Sequence, residues 1–70
     1  MDKKTIQRSI ETAAGGRMVS ITEIAAWSGR SVEWVKGTIL ADLDSIKTGK
    51  HRLYYVGDVA QAFVDAATRR

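Results

Sequence analysis

The sequence has no cysteine and only one histidine, which excludes a disulfide framework and a thiolate metal site as sources of stability. Its hydrophobic runs fall well short of a membrane span, and its N-terminus is charged rather than signal-like. It also offers no paired carboxylates in a plausible cleft and no other catalytic constellation. These absences predict a protein that is not an enzyme, holds no cofactor or metal, does not enter a membrane and works in the cytoplasm.

The length and the net charge of the chain narrow the class of protein further. Seventy residues allow one domain, close to the lower limit for a self-supporting core, and a hydrophobic content of 44% is ordinary for a globular fold. A net charge of +3 is weak evidence for a nucleic-acid partner, and the distribution of charge is more informative. Lys47, Lys50 and Arg52 lie within a short segment that includes no acid. This segment is the first candidate for contact with phosphate groups.

The N-terminal part of the chain predicts one helix. Asp2 is a candidate N-cap, the helix runs to about Ala14, and Gly15-Gly16 ends it. The apolar positions on one face are Ile6, Ile10, Ala13 and Ala14. Because this stripe is narrow, we expect the helix to dock as an N-terminal extension, residues 1–17, rather than to form part of the core.

Two short helices joined by a tight turn are predicted next, after a short extended segment at residues 18–19. Ser20 stands three residues before Glu23, which is the spacing of a capping box at the start of a helix. Gly29 supplies a left-handed turn residue, and the hydroxyl of Ser31 can cap a third helix over residues 32–40.

The third helix presents polar residues away from its predicted apolar face. The residues expected to be buried are Val32, Val35 and Ile39, and those expected to be exposed are Glu33, Lys36 and Gly37. Gly37 costs about 1 kcal/mol of helix stability relative to Ala. It either allows close approach to a DNA backbone, or it reflects helix packing or an early helix end. Glu33 either accepts a hydrogen bond from a cytosine amino group or caps and solvates the start of the helix.

A hairpin and a final helix complete the predicted order. Two strands, over residues 45–47 and 51–56, surround a tip at Thr48-Gly49-Lys50. Gly57-Asp58 is expected to cap the last helix, which ends in Arg69 and Arg70 at the terminus that favours positive charge. The inner face of this helix is predicted to consist of Val59, Ala62, Phe63 and Ala66.

The two tryptophans are predicted to be core or interface residues. Trp27 ends the second helix, and Trp34 lies off the main apolar stripe of the third. If one of them packs against the first helix, that contact explains why the N-terminal extension exists. Stacking on nucleic-acid bases is the alternative role for these rings.

Two helices joined by a turn and followed by a basic hairpin can place one helix and one loop against a duplex. The residues predicted to contact DNA are Arg30, Ser31, Glu33, Lys36, Gly37, Lys47, Lys50, His51 and Arg52. Arg52 is expected to enter a narrow minor groove, where the negative potential is strongest. In the alternative arrangement, Arg52 folds back over Tyr54 and Asp58.

The ordered motifs also suggest a family. They are an I-x-E-[IVL]-A helix, a G-x-S turn, a G-x-[HR]-R-x-Y hairpin and a [DE]-V helix. The matching residues are Ile21, Glu23, Ile24, Ala25, Gly29, Ser31, Val35, Gly49, His51, Arg52, Tyr54, Asp58 and Val59. From about Val19 to Phe63 the chain thereby resembles the MerR-type winged-helix superfamily, in its short stand-alone forms such as phage and transposon excisionases. Arg30 departs from the family pattern, because it occupies a place that is usually apolar, and so does Ala41-Asp42-Leu43, where a Gly-Lys/Arg-Leu turn is expected.

This resemblance implies a fold and a function. The fold is mainly α with a small β-hairpin: a winged helix-turn-helix domain at residues 18–70, with an extra N-terminal helix. The implied function is sequence-specific binding to double-stranded DNA by a phage or mobile-element excisionase (a recombination directionality factor) or by a small transcriptional regulator, at the nucleoid. An integrase or recombinase, and further copies of the chain on tandem sites, are the implied partners.

Two alternatives from other functional classes stay open. The chain also resembles the DNA-recognition module of small terminase subunits, which works inside an oligomer with a packaging motor. A winged helix used only for protein contacts is the second alternative, and it predicts no salt-dependent binding to DNA.

Overall fold

The computed structural model describes residues 2–68, which form a mainly helical fold with a small three-stranded antiparallel sheet. The helices are α1 (Lys3–Ala14), α2 (Ile21–Ser28), α3 (Val32–Trp34) and α4 (Val56–Thr68), and the strands are β1 (Met18–Val19), β2 (Ile46–Thr48) and β3 (His51–Tyr55). Arg69 and Arg70, predicted to end the last helix, lie outside the described residues. Within 2–68, no helix combines the length and the apolar content needed to cross a membrane.

Side-chain caps begin the first two helices where the sequence predicts them. The Asp2 carboxylate accepts hydrogen bonds from the Lys4 N–H (3.2 Å) and from the Thr5 hydroxyl (2.9 Å) at the start of α1. Ser20 and Glu23 make both hydrogen bonds of the predicted capping box at the start of α2. Each cap satisfies backbone N–H groups that have no partner within their helix.

The turn between α2 and α3 is also confirmed. Gly29 adopts a φ of 72°, a conformation that glycine reaches without steric cost, and its N–H donates to the Ala25 carbonyl. Ser31 then begins α3, since its hydroxyl oxygen accepts from the Trp34 N–H at 3.1 Å. Only three residues therefore separate the end of the second helix from the start of the third.

The third helix widens after its first turn. Residues Val35–Ile39 form a π-helical segment, in which the Leu40 N–H donates to the Val35 carbonyl at 3.0 Å. Such short π segments are rare and occur often at functional sites. Val35 and Ile39 are buried as predicted. The prediction for Val32 is wrong: its side chain is 42% exposed, because the first turn of α3 faces an open groove instead of the core.

The hairpin is confirmed, and β3 lies at the centre of the sheet. β3 pairs antiparallel with β1 on one side and with β2 on the other, which gives the order β1-β3-β2. Lys47 is opposite Arg52, and Thr48 is opposite His51, so Gly49 and Lys50 form the tip. Because directly paired residues share a face of the sheet, Lys47 and Arg52 lie on the same face.

The last helix starts earlier than predicted. Val56, expected in the strand, is the first residue of α4, and its N–H donates to the Arg17 carbonyl at 2.8 Å. Gly57 and Asp58 lie inside the first turn rather than before it. Gly57 is buried there beside Tyr55, and a Cβ at this position would be 2.5 Å from the Tyr55 ring. A side chain at this position would require the Tyr55 ring to move, and Gly57 does not act as a helix cap.

A single hydrophobic core joins α1, β1, α2, the π-helical segment and α4, whereas β2 is exposed along its whole length. The buried members of the core are Ile6, Ile10, Val19, Ile24, Val35, Ile39, Leu40, Val56, Val59 and Ala60. The expectation that α1 docks outside the core is wrong, because Ile10 is 1% exposed and Ile6 is 8% exposed within this cluster. In a chain this short, two isoleucines are a large part of the buried volume. The core therefore depends on α1.

Candidate nucleic-acid interface

An open groove of about 730 Å³ separates α2 and α3 from the β2–β3 hairpin. It will be called the hairpin groove. Its lining residues are Ser20, Ile21, Thr22, Glu23, Val32, Lys36, Lys50, His51, Arg52 and Tyr54. Three elements that are separate in sequence, namely the start of α2, one side of the third helix and the hairpin, therefore meet at one concave surface.

The lining of the hairpin groove is positively charged. Lys36 comes from the third helix, and Lys50 and Arg52 come from the hairpin. Glu23 is the acid among the lining residues, and its carboxylate accepts a hydrogen bond from the Ser20 N–H at 3.0 Å. A concave surface with clustered cations raises the local concentration of anions and attracts a polyanion more strongly than scattered charges do.

Arg52 extends into solvent in the described structure. Its side chain is exposed and lines the hairpin groove. The cation–π contact recorded within residues 2–68 belongs to Arg30 and Trp34, and Arg52 takes no part in it. The alternative in which Arg52 folds over the Tyr54 ring is therefore not the arrangement seen, and the guanidinium group keeps its five N–H donors for a ligand.

The start of α2 adds uncharged donors to the hairpin groove. The N–H groups of Ile21 and Thr22 belong to the first helical turn, where backbone donors have no partner within the helix. Ile21 and Thr22 line the same groove as Lys36 and the hairpin cations. Backbone N–H groups at such a position, combined with nearby lysine and arginine, are suited to phosphate oxygens.

Arg30, also predicted to contact DNA, lies elsewhere. Its guanidinium carbon is 4.7 Å from the centroid of the Trp34 ring, and it lines a second depression together with Trp27 and Phe63. That depression shares no lining residue with the hairpin groove. Arg30 lies over an aromatic ring and is not part of the hairpin groove.

Other residues predicted to contact DNA lie outside the lining of the hairpin groove or serve a structural role. Ser31 uses its hydroxyl to cap α3, and Glu33 is exposed in the first turn of that helix. Gly37 is exposed beside Lys36, and a Cβ added there would meet nothing within 4 Å. Packing against another element therefore does not account for Gly37. Lys47 is exposed on the same face of the hairpin as Arg52, at the outer strand.

Sequence reasoning missed several residues that line the hairpin groove. Val32 was assigned to the core, whereas Ile21, Thr22 and Tyr54 were not recognised as groove residues. The available signals were that Val32 follows a helix cap directly, and that Tyr54 alternates with Arg52 along one strand face. Which of these positions is covered depends on how the hairpin folds over α3, and local sequence patterns do not determine that.

Among residues 2–68, no group of three histidine or acidic side chains is placed to hold a metal ion. No family model matches the chain, and neither a curated protein nor a solved structure is significantly similar to it.

Proposed function

We propose that the chain binds double-stranded DNA as a winged helix-turn-helix protein. In this proposal, α2 and α3 with its π-helical extension form the helix-turn-helix, and the β2–β3 hairpin is the wing. The observation that carries the proposal is the convergence of Lys36 with Lys50 and Arg52 on one groove. Two different elements thereby supply cations to a single surface, as contact with two neighbouring parts of a duplex requires.

Positioning on the duplex is assigned to contacts with phosphate groups. Lys50 and the unpaired N–H groups of Ile21 and Thr22 are suited to this role, because they provide charge and donors without reading bases. Arg52 is assigned to a narrow minor groove, since a guanidinium group is attracted by the strong negative potential there. Lys47, on the same face of the hairpin, adds to the positive field around it.

Base readout is assigned to the third helix. Lys36 can donate to guanine O6 and N7 in the major groove. Val32 stands one turn before it on the same side, and its exposed methyl groups are suited to contact with a thymine methyl. Gly37 permits close approach because nothing covers the backbone at that position. Within the third helix, Lys36 and Val32 are therefore the residues assigned to sequence preference.

The biological role proposed for this DNA binding is that of an excisionase or a small transcriptional regulator of a phage or mobile element. This finer assignment derives from the resemblance of the I-x-E-[IVL]-A, G-x-S and G-x-[HR]-R-x-Y motifs to short MerR-type proteins. An integrase or recombinase is the proposed partner protein, with copies of the chain on tandem sites.

The proposal is tested by measuring duplex affinity for single variants with fluorescence anisotropy. Arg52→Ala is expected to weaken binding by about 1–3 kcal/mol, the range for one well-placed contact. Lys36→Ala is expected to weaken a selected preferred site more than random duplex, since a base contact contributes to discrimination.

Arg8→Ala is the matched control, because Arg8 is an exposed cation on α1 outside the hairpin groove. It removes the same charge as Arg52→Ala and is expected to leave affinity nearly unchanged at physiological salt, where charges more than about 8 Å apart are screened. Equal losses for Arg8→Ala and Arg52→Ala would contradict the proposed groove. If the Lys36 effect is the same on all sequences, Lys36 is a phosphate contact and the proposed docking is rotated.

A further inference from the structure

A second surface, away from the hairpin groove, gathers most of the aromatic side chains of the protein. It consists of two depressions that meet at Trp27. One, of about 610 Å³, runs along α1, and the other, of about 420 Å³, lies between the end of α2 and α4. Trp27 lines both, and neither shares a residue with the hairpin groove. These two depressions will be called the Trp27 surface.

The aromatic rings of the Trp27 surface are held in a fixed arrangement. The Trp27 and Phe63 rings meet edge to face with centroids 5.2 Å apart, and the Trp34 and Phe63 centroids are 6.3 Å apart. The Trp27 Nε1–H donates to the Ser9 hydroxyl at 2.9 Å, which fixes the indole against α1. All three rings are only partly buried. Rigid, half-exposed tryptophan side chains are typical of binding hot spots, since little conformational entropy is lost when a partner covers them.

The charges that border these rings are positive. Lys4 and Arg8 line the depression along α1, and Arg30 lines the other. Asp2 is the acid among the lining residues, and its carboxylate already accepts hydrogen bonds from Lys4 and Thr5. The Trp27 surface is therefore complementary to an acidic ligand that also carries apolar groups.

Arg30 is arranged to bind a carboxylate. Its stacking on the Trp34 ring, at 4.7 Å from the centroid, holds the guanidinium plane in place. The N–H edge of a stacked guanidinium stays free to donate two parallel hydrogen bonds to one carboxylate. Because Arg30 lies over one face of the Trp34 ring, that face is not open to a nucleic-acid base, which favours a protein ligand over a single strand.

We propose that the Trp27 surface docks an acidic segment of a partner protein. An apolar side chain of that segment packs against Trp27 and Phe63, while flanking carboxylates bind Arg8 and Arg30. The proposal goes beyond DNA binding and does not depend on it, since the two surfaces have no residue in common. A protein with both surfaces can hold a duplex and a partner at the same time.

The test uses the full chain, labelled with ¹⁵N, and short synthetic peptides as probes. The first peptide alternates Glu with Leu, the second replaces each Glu with Lys, and the third replaces each Leu with Gly. The first is expected to shift the Trp27 and Trp34 indole N–H signals in a saturable way, and the other two are expected to bind much more weakly. Arg30→Ala and Arg8→Ala are each expected to weaken binding of the first peptide by about tenfold, the effect of losing one hot-spot contact.

Arg30→Lys is the conservative variant, because it keeps the charge and loses the planar fork, and it is expected to bind the peptide more weakly than the wild type. Unchanged core signals in the ¹⁵N spectrum show that each variant is folded. The proposal is overturned if the Glu–Leu peptide leaves the indole signals in place, or if the Lys–Leu peptide shifts them equally. It is also overturned if a single-stranded oligonucleotide or a second copy of the chain binds there in preference to the Glu–Leu peptide. Duplex binding measured on the same variants reports separately on the hairpin groove.

Discussion

Two exposed arginines show how the surroundings of a residue determine its role. Arg30 is stacked on Trp34, whereas Arg52 extends into the hairpin groove with its donors free. A guanidinium that lies over an aromatic ring suits a specific protein contact, while one with its donors free can enter a DNA groove. The sequence predicts DNA contact for both arginines, and the signal that separates them is that Arg30 occupies a place that is usually apolar in the resembled family.

Asp2 is the residue whose ionisation contributes most clearly to local structure. The Thr5 hydroxyl and then the Lys4 N–H hydrogen-bond its carboxylate and lower the pKa of Asp2 below its ordinary value. A group with a lowered pKa in the folded state stabilises that state above the pKa of the unfolded chain. This contribution is lost as the pH falls through the lowered folded value.

Asp2→Asn is therefore expected to remove part of the acid sensitivity of α1 while keeping its cap, because asparagine caps a helix without titrating. The measurement compares hydrogen exchange at the first amides of α1 in the wild type and the variant, from neutral pH to below the ordinary range of aspartate. Identical acid profiles for the two proteins would contradict this role for the Asp2 carboxylate.

At the scale of the element, the π-helical segment Val35–Ile39 is the unusual feature. It contains Gly37, which is exposed and has open space where a Cβ would stand. Glycine weakens a helix because it loses the most backbone freedom on folding. A glycine that is not required by packing, in the element proposed to approach DNA, points to close contact with the ligand as its reason.

Gly37→Ala is expected to raise the free energy of unfolding by up to about 1 kcal/mol, measured by urea denaturation, since the methyl group meets no neighbour. The same variant is expected to bind duplex DNA more weakly than the wild type. Thr38→Ala, an exposed neighbour in the same segment, serves as control for general effects on the helix. A more stable Gly37→Ala protein with unchanged DNA affinity would show that Gly37 has no part in close approach.

The ends of helices and the turns were predictable from the sequence where interactions within a few residues determine them. The Asp2 and Ser20 caps, the left-handed Gly29 and the hairpin tip at Gly49 act within a few residues, so their pattern is visible in the sequence. The exposure of Val32 and the early start of α4 at Val56 were not predictable in this way. Both depend on tertiary placement: the first on the hairpin groove, the second on a backbone hydrogen bond to Arg17.

The sequence predicted the cations that line the candidate site, but it did not predict how the packed elements form the groove. Lys50 and Arg52 stood out as cations in an acid-free hairpin segment, and Lys36 stood out as a cation on the polar side of the third helix. All three line one groove. The contribution of α2 and the departure of Arg30 from this site required the packed structure. An aromatic cluster drawn from three helices, with Arg30 stacked on it, has no signature within any one segment.

At the scale of the whole molecule, α1 joins a core that also supports both proposed binding surfaces. Ile10 is buried in the same core cluster as residues of β1, α2, the π-helical segment and α4. The Trp27 surface rests on α1 through the hydrogen bond between Trp27 and Ser9. The first helix therefore stabilises the domain and forms part of a proposed binding surface.

Ile10→Ala is expected to destabilise the whole protein by about 2–5 kcal/mol, the cost of a cavity at a fully buried aliphatic residue. A core of this size supplies only about 3–5 kcal/mol in total, so much of the variant is expected to be unfolded at room temperature. Circular dichroism with thermal melting measures the effect, with the exposed Ala13→Ser on the same helix as control. A local loss of α1 signal, with the sheet and α4 intact, would contradict an integral first helix.

The central claim is that the hairpin groove binds the duplex backbone, and the salt dependence of DNA affinity tests it most directly. With about four or five phosphates neutralised, log K is expected to fall with log[salt] at a slope near −4. In the Lys47→Ala/Lys50→Ala double variant, which removes the hairpin lysines assigned to the phosphate backbone, the slope is expected to become shallower by about one unit for each lost cation. A flat salt dependence of the wild type, or an unchanged slope in the double variant, would contradict the claim and favour a protein partner at this groove.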